Sequence, residues 1–170
     1  VIVSAVIIVA FSSINIYREE VLEIDPSVKT EVQNTVSFGS AALDTLNPIV
    51  SKSEDTYYIS KLIYDSLFAY TDQLNVEGSL VQSYTVDTEK AYADITLKSG
   101  ITWHNGESLT AKDVSFTVNA IKSYGSEGLY YKNASKIKSV SVKDDYNLRI
   151  YFNDSYECSL DDLTFPILPK

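Results

Sequence analysis

The chain has 170 residues, with 14 Lys or Arg against 23 Asp or Glu, so its formal net charge is −9. This length fits one domain, because folded domains commonly contain about 100 to 150 residues, and the negative charge disfavours nucleic acid as a partner. Cys158 is the only cysteine and His104 the only histidine, which excludes an intramolecular disulfide, a thiolate metal cluster and a multi-histidine metal site.

The chain begins with an apolar segment. Residues 1–11 read VIVSAVIIVAF, and the apolar character continues to residue 16. There is no methionine, so we expect the true N-terminus to lie upstream, where a few more residues would complete a signal peptide or a membrane anchor. Neither an Ala-x-Ala pattern nor a lipid-accepting cysteine follows, which favours an uncleaved anchor. The alternative for residues 1–16 is a buried strand or helix.

Residues 17–34 are rich in Glu and contain Pro26, which predicts a polar linker between the membrane and a folded domain. The pattern changes at Thr35, where that domain is expected to start. Val36 and Phe38 alternate with polar neighbours and predict a strand that leads into a loop at residues 43–48.

Helical periodicity appears twice. Apolar residues between 53 and 67 recur at the spacing of one helical face and predict an amphipathic helix with Ser53 as its N-cap. A capping box with Asp113 in place of the usual Glu starts at Thr110, and it predicts a second helix over residues 111–123. The apolar face of the first helix is Tyr58, Ile59, Leu62, Ile63 and Leu67.

Two β-hairpins are predicted from strict alternation of apolar and polar residues. The first joins residues 83–86 and 91–98, and it buries Ala93, Ile95 and Leu97 on one face. The second turns at residues 144–147 between a strand that contains Val140 and Val142 and a strand that contains Leu148, Ile150 and Phe152. The fold class is therefore mixed α and β.

Residues 91–114 read AYADITLKSGITWHNGESLTAKDV, and this stretch resembles the signature of the family 5 extracellular solute-binding proteins, the peptide, dipeptide and nickel receptors of ABC importers. Its structural signature residues here are Trp103, Gly106, Thr110 and Asp113. The order of the flanking motifs also resembles the family: Leu46, Asn47 and Pro48 early, residues 80–84, with Val81 where the family usually has alanine, and a Pro-x-x-Pro-Lys ending at Lys170.

The resemblance covers residues 36–170, about the first third of such a protein. It implies a mixed α/β fold, the N-terminal portion of a two-lobed, periplasmic-binding-protein-like clamshell that closes over a solute. Residues 35–170 would then be an incomplete solute-binding domain with no cofactor and no catalytic residue. The protein is expected at the cell surface, membrane-anchored or secreted.

The loop at residues 40–47 is the first candidate for ligand contact, because binding residues occur disproportionately on loops held by a rigid sheet. In peptide-binding relatives, backbone groups of this region pair with the main chain of the peptide. The candidates are Ser40, Ala41, Ala42 and Leu43. The alternative is a plain connection between a strand and a helix.

Tyr130 and Tyr131 are the second candidates, since they follow Gly125 and Gly128 in a region where relatives place an aromatic residue in the cleft; surface packing is the alternative. Trp103 is expected to pack against a hairpin, with ligand stacking as its alternative. Gly106 and His104 are expected to form a turn.

The leading functional hypothesis is import, in which the protein captures an oligopeptide or similar solute and delivers it to permease subunits. A signalling receptor with the same fold is the alternative. An enzyme that uses Asp144 and Asp145 is disfavoured, because consecutive residues of an extended chain point to opposite faces. Nickel, metal chelates, sugars and opines remain open as solutes, although one histidine makes direct metal ligation by this segment unfavourable.

Overall fold

The computed structural model describes Gly39, residues 43–155 and residues 158–170. The apolar segment at 1–16, the linker at 17–34 and the strand at Val36 and Phe38 lie outside the described residues. Within the described ranges, no helix is long and apolar enough to cross a membrane. The elements are α1 (Glu54–Ile63), β1 (Phe68–Tyr70), β2 (Val76–Gly78), β3 (Val81–Asp87), β4 (Tyr92–Leu97), α2 (Ala111–Tyr124), α3 (Tyr131–Ser135), β5 (Ile137–Val142), β6 (Asn147–Phe152) and a 3-10 helix (Leu160–Leu163).

The compact unit Ser40–Lys170 contains a four-stranded antiparallel sheet in the order β3-β4-β6-β5. Both predicted hairpins are present in it, as β3–β4 and β5–β6, and the pairing of β4 with β6 joins them through the register of Ile95 opposite Leu148. A separate two-stranded antiparallel sheet is formed by β1 and β2. The observed class is mixed α and β, as the sequence predicts.

The core lies between one face of the sheet and the inner face of α2. Alternate residues of β4 and β6 are buried, which confirms the predicted apolar faces of both strands. Helix α2 contributes Val114, Val118 and Ile121, whose spacing places them on one side of the helix. The sheet residues in this core are Ala93, Ile95, Leu97, Leu148, Ile150 and Phe152.

The prediction for α1 was wrong in its extent and in its buried face. The helix ends at Ile63, because Tyr64 is extended (φ −122°, ψ 138°) and the chain turns into β1. Thr56 and Ser60 form the buried side, whereas Tyr58 and Leu62 of the predicted apolar face are 66% and 70% exposed. The small side chains of Thr56 and Ser60 permit close packing, and both hydroxyls have hydrogen-bond partners, so neither hydroxyl is buried without one.

Candidate functional site

The loop that precedes α1 is shaped by Asp44. The carboxylate of Asp44 accepts hydrogen bonds from the backbone N–H groups of Thr45 (2.7 Å) and Lys52 (2.8 Å) and from the hydroxyl of Ser51 (2.6 Å). The Ser51 hydroxyl is the main cause that lowers the pKa of Asp44, followed by the Lys52 N–H, because both stabilise the charged form. One carboxylate thus closes the loop from residue 44 to residue 52.

The same loop is tied to α1 and stabilised from within. The hydroxyl of the buried Thr56 donates to the carbonyl of Thr45 (2.8 Å), and the side chain of Asn47 accepts from the N–H of Ile49 (3.0 Å). Leu43 and Leu46 remain 37% and 57% exposed on this fixed backbone. Of the predicted ligand-contact residues, Leu43 therefore lies at the start of a rigid, partly apolar loop, whereas Ser40, Ala41 and Ala42 lie outside the described residues.

Tyr130 packs against aromatic residues of α1. Its ring stacks on Tyr57 with centroids 5.9 Å apart, and its hydroxyl lies 3.2 Å from the Ser60 hydroxyl. The Ser60 hydroxyl donates to the carbonyl of Tyr57 (2.8 Å), so the hydroxyl of Tyr130 is the donor to Ser60. Tyr130 is only 5% exposed, and burial raises its pKa. A ligand contact through Tyr130 stays a prediction.

Tyr131 begins α3, and its N–H donates to the carbonyl of Gly128 (3.2 Å). Its side chain is half-buried, so it has more accessible surface than Tyr130. The turn that carries both tyrosines starts at Gly125, whose φ of 93° is in the left-handed region that favours glycine. The loop at residues 43–47 and the Tyr130 segment thus both contact α1, because Thr56 bonds to the loop and Ser60 bonds to Tyr130.

Trp103 and Gly106 close the predicted turn. The N–H of Gly106 donates to the carbonyl of Trp103 (2.9 Å), and Gly106 has a φ of 86°. Trp103 packs against the core and lines a cavity of about 70 Å³ together with His104 and Tyr64. The Nε1 atom of Trp103 is buried and has no hydrogen-bond partner among the described residues. The position of Trp103 is therefore that of a packing residue with one unsatisfied donor.

Thr110 and Asp113 form the predicted capping box at the start of α2. The Asp113 carboxylate accepts from the N–H of Thr110 (2.7 Å) and from the Thr110 hydroxyl (3.1 Å). Its other oxygen accepts from the N–H of Lys170 (2.9 Å). Asp113 thus connects the start of α2 to the C-terminal segment.

Cys158, Asp144 and Asp145 have structural roles in packing, in a turn and in an ion pair. Burial raises the pKa of the Cys158 thiol, and the side chain packs against the core, as expected of an ordinary apolar residue. Asp144 accepts from the N–H groups of Tyr146 (2.9 Å) and Asn147 (2.8 Å) in the β5–β6 turn, and Asp145 pairs with Lys112. In the described part of the chain, no group of three His, Cys, Asp or Glu residues is placed to hold a metal ion.

The model of the bacterial extracellular solute-binding proteins, family 5 Middle, matches residues 75–170, more than half of the chain. The oligopeptide-binding protein AppA of Bacillus subtilis is 33% identical over 138 residues, which cover 78% of this chain and 25% of AppA. The chain spans about a quarter of the length of AppA and of the other curated relatives that it matches.

Two solved structures show the same fold. NikZ of Campylobacter jejuni in complex with Ni(L-His) has a TM-score of 0.68 and 27% identity, and the match covers 77% of this chain and 26% of NikZ. AppA of Bacillus subtilis in complex with a nonapeptide has a TM-score of 0.65 and 28% identity, with 79% of this chain and 27% of AppA covered. AppA is named as an oligopeptide-binding protein, in agreement with the expectation that the chain has no catalytic residue.

Proposed function

The chain belongs to the family 5 bacterial extracellular solute-binding proteins, and from this membership we propose that it is part of the solute-binding component of an ABC importer. In this proposal the protein captures an oligopeptide or a similar small solute outside the cytoplasm and delivers it to permease subunits. The 33% identity with an oligopeptide-binding protein is the observation that carries the proposal.

A peptide is the preferred solute. The relative with 33% identity is named as an oligopeptide-binding protein, and its solved structure holds a nonapeptide. The exposed side chains of Leu43 and Leu46 suit the apolar side chains of a peptide, and an ordered backbone suits main-chain hydrogen bonding. His104 is exposed in a turn and is the only histidine of the sequence, which makes a nickel complex the weaker candidate.

The candidate site acts by preorganisation. The hydrogen bonds of Asp44 and Thr56 already hold the backbone of the loop at residues 43–52 in one conformation, so binding does not have to order it. Tyr131 combines an apolar ring with a hydroxyl, which suits an amphipathic solute. The signalling alternative has no support among the relatives named above, so import is the function that we propose.

The proposed location is outside the cytoplasm. The apolar sequence at residues 1–16 supports export through a signal segment or attachment through an anchor. Carbonate extraction of membranes from cells that express the protein distinguishes the two, because an anchored form stays in the pellet and a released form appears in the soluble fraction.

The proposed function is tested with a chimera in which Ser40–Lys170 replaces the aligned segment of Bacillus subtilis AppA. Calorimetric titration with the nonapeptide should give a Kd within about tenfold of that of AppA, which is a difference in binding free energy of at most about 1.4 kcal/mol. Tyr131→Ala should weaken binding, whereas Tyr146→Ala, in a distant turn, should not. A chimera that melts cooperatively but binds neither the nonapeptide nor other peptides of similar length would contradict the proposal.

A further inference from the structure

Asn105 is the only asparagine of the sequence that a glycine follows. The side-chain amide of an asparagine is thermolabile, because the backbone nitrogen of the next residue can attack the amide carbon, Cγ, and close a succinimide ring. A glycine at the next position has no Cβ to hinder this attack. The chain therefore has one intrinsically labile unit, Asn105–Gly106, and it lies in an exposed turn.

This unit belongs to a tight hairpin. Thr102 and Ser108 pair across the hairpin as an antiparallel bridge, and the N–H of Trp103 donates to the carbonyl of Glu107 (2.8 Å). The N–H of Gly106 donates to the carbonyl of Trp103 (2.9 Å). The nitrogen that would attack the amide is thus itself held in a hydrogen bond within the turn.

Glu107 holds the other reacting group. The Nδ2 atom of Asn105 donates to Oε2 of the Glu107 carboxylate (2.9 Å), and the backbone N–H of Glu107 donates to Oδ1 of Asn105 (3.0 Å). Both polar atoms of the amide are therefore turned towards residue 107, and these bonds must open before Cγ can turn to the Gly106 nitrogen. All three residues are exposed, so hydrogen bonding and not burial limits the reaction.

We propose that Asn105 is a deamidation site that Glu107 protects in the folded protein. In the reaction, the Gly106 nitrogen loses its proton and bonds to Cγ of Asn105, and Nδ2 leaves as ammonia. Water then opens the succinimide at either carbonyl and gives aspartate or isoaspartate, so the net change is the gain of water and the loss of ammonia. Glu107 is a positioning residue, since it contacts the amide but contributes no atom to the product.

The modification changes the hairpin that positions Trp103. An isoaspartate at residue 105 adds one carbon to the main chain between Trp103 and Glu107, which does not fit the backbone bonds that close the turn. An aspartate loses the Nδ2 donor and places a second carboxylate beside that of Glu107. Both products should therefore lower the melting temperature of the protein, whichever solute it binds.

The test incubates the 170-residue chain at mildly alkaline pH and at a temperature well below its melting transition. Peptide mapping by mass spectrometry follows the loss of Asn105 and the formation of isoaspartate, and a sample in guanidinium chloride gives the rate of the unfolded chain. Deamidation of Asn105 should be at least about tenfold slower in the folded protein, because several hydrogen bonds must open before the ring closes.

Two substitutions at residue 107 isolate the contribution of its side chain. Glu107→Ala removes the acceptor of the Asn105 amide and should accelerate deamidation of the folded protein at least about fivefold, the factor expected for the loss of one charge-assisted hydrogen bond. Glu107→Gln keeps an acceptor and should stay within about twofold of the wild type. Each rate is divided by that of the same variant in guanidinium chloride, which cancels the effect of residue 107 on intrinsic reactivity.

Asp94→Asn is the control for global unfolding, since it weakens an ion pair of the sheet and should leave the rate at Asn105 unchanged. The proposal would be overturned if Asn105 deamidates equally fast in the folded and the denatured wild type, or in neither. Equal normalised rates for the wild type and Glu107→Ala would also overturn it. So would an acceleration by Asp94→Asn that equals that of Glu107→Ala, because opening of the whole fold would then be the cause.

Discussion

Asp113 joins the start of α2 to the C-terminal segment, because one carboxylate oxygen accepts from the N–H of Thr110 at 2.7 Å and the other accepts from the N–H of Lys170 at 2.9 Å. Asp113 is 6% exposed, and both bonds are partly buried. Each replaces a hydrogen bond that the backbone N–H would otherwise make with solvent. This signature residue therefore has a structural role.

Asp113→Ala is expected to lower the free energy of unfolding by about 2 kcal/mol, since it removes a helix cap and the acceptor of the Lys170 N–H. Urea denaturation followed by circular dichroism measures the change. Asp145→Ala is the matched control: its ion pair with Lys112 is exposed, so a loss below about 0.5 kcal/mol is expected. Equal losses in the two variants would contradict the capping role.

Asp94 lies between two cations on the sheet. Arg149 donates through Nε (2.9 Å) and Nη2 (2.6 Å), and Lys143 also pairs with the carboxylate. The Arg149 hydrogen bonds are the largest cause that lowers the pKa of Asp94, which falls from 3.8 to about 2. The guanidinium also lies 3.8 Å from the centroid of the Tyr92 ring, which holds it in place.

A folded-state pKa below the unfolded value contributes stability above about pH 4, and this contribution is lost as the pH falls through 2. Asp94→Asn should therefore reduce the free energy of unfolding by about 1 to 2 kcal/mol at neutral pH, and the difference from the wild type should shrink below pH 4. Urea titrations at several pH values measure it. A constant difference from pH 7 to pH 2 would show that the charge of Asp94 is not the cause.

The hydroxyls of Tyr130 and Ser60 are expected to be energetically coupled. Ser60→Ala leaves the buried Tyr130 donor without its acceptor, so it should cost about 1 to 2 kcal/mol, and Tyr130→Phe should cost about 1 kcal/mol. The double variant should lose less than the sum, with a coupling energy of about 1 kcal/mol in a double-mutant cycle. Strict additivity would mean that the two hydroxyls do not interact.

Trp103→Phe should leave the free energy of unfolding unchanged or raise it, because it removes a buried donor without a described partner and keeps most of the ring. Trp103→Ala should lower it by about 3 kcal/mol through loss of packing. Trp103 is the only tryptophan, so circular dichroism replaces fluorescence as the probe. Comparable losses in both variants would indicate that the indole N–H has an acceptor that matters.

Periodicity was sufficient for the elements whose burial follows hydrophobicity. Ile95 and Leu148 lie in strands with strict alternation, and Val114 lies in the first turn of a helix whose capping box is visible in the sequence, so each pattern permits one structure. Helix α1 is different, because Thr56 and Ser60 are buried through hydrogen bonds that a hydropathy pattern does not represent. Its apolar residue Tyr58 was therefore assigned to the wrong side.

The ligand-contact role of the loop at residues 40–47 and of Tyr130 and Tyr131 stays a prediction. The hydrogen bonds of Asp44 were not predicted, although Asp and Asn at residues 44 and 47 are typical of side chains that bond nearby backbone N–H groups. The contact between Tyr130 and Ser60 joins residues 70 positions apart, and no local pattern contains that information. Long-range contacts of this kind require the fold.

Photo-cross-linking tests whether this segment contributes solute contacts in a solute-binding protein. A nonapeptide that carries a benzophenone group is bound to the AppA chimera, and the complex is irradiated. Mass spectrometry then identifies the labelled residues. We expect labelling at residues 43–47 or at Tyr131 that excess unlabelled nonapeptide suppresses. Labelling confined to residues of AppA origin, or labelling that unlabelled peptide does not suppress, would show that this segment does not contact the solute.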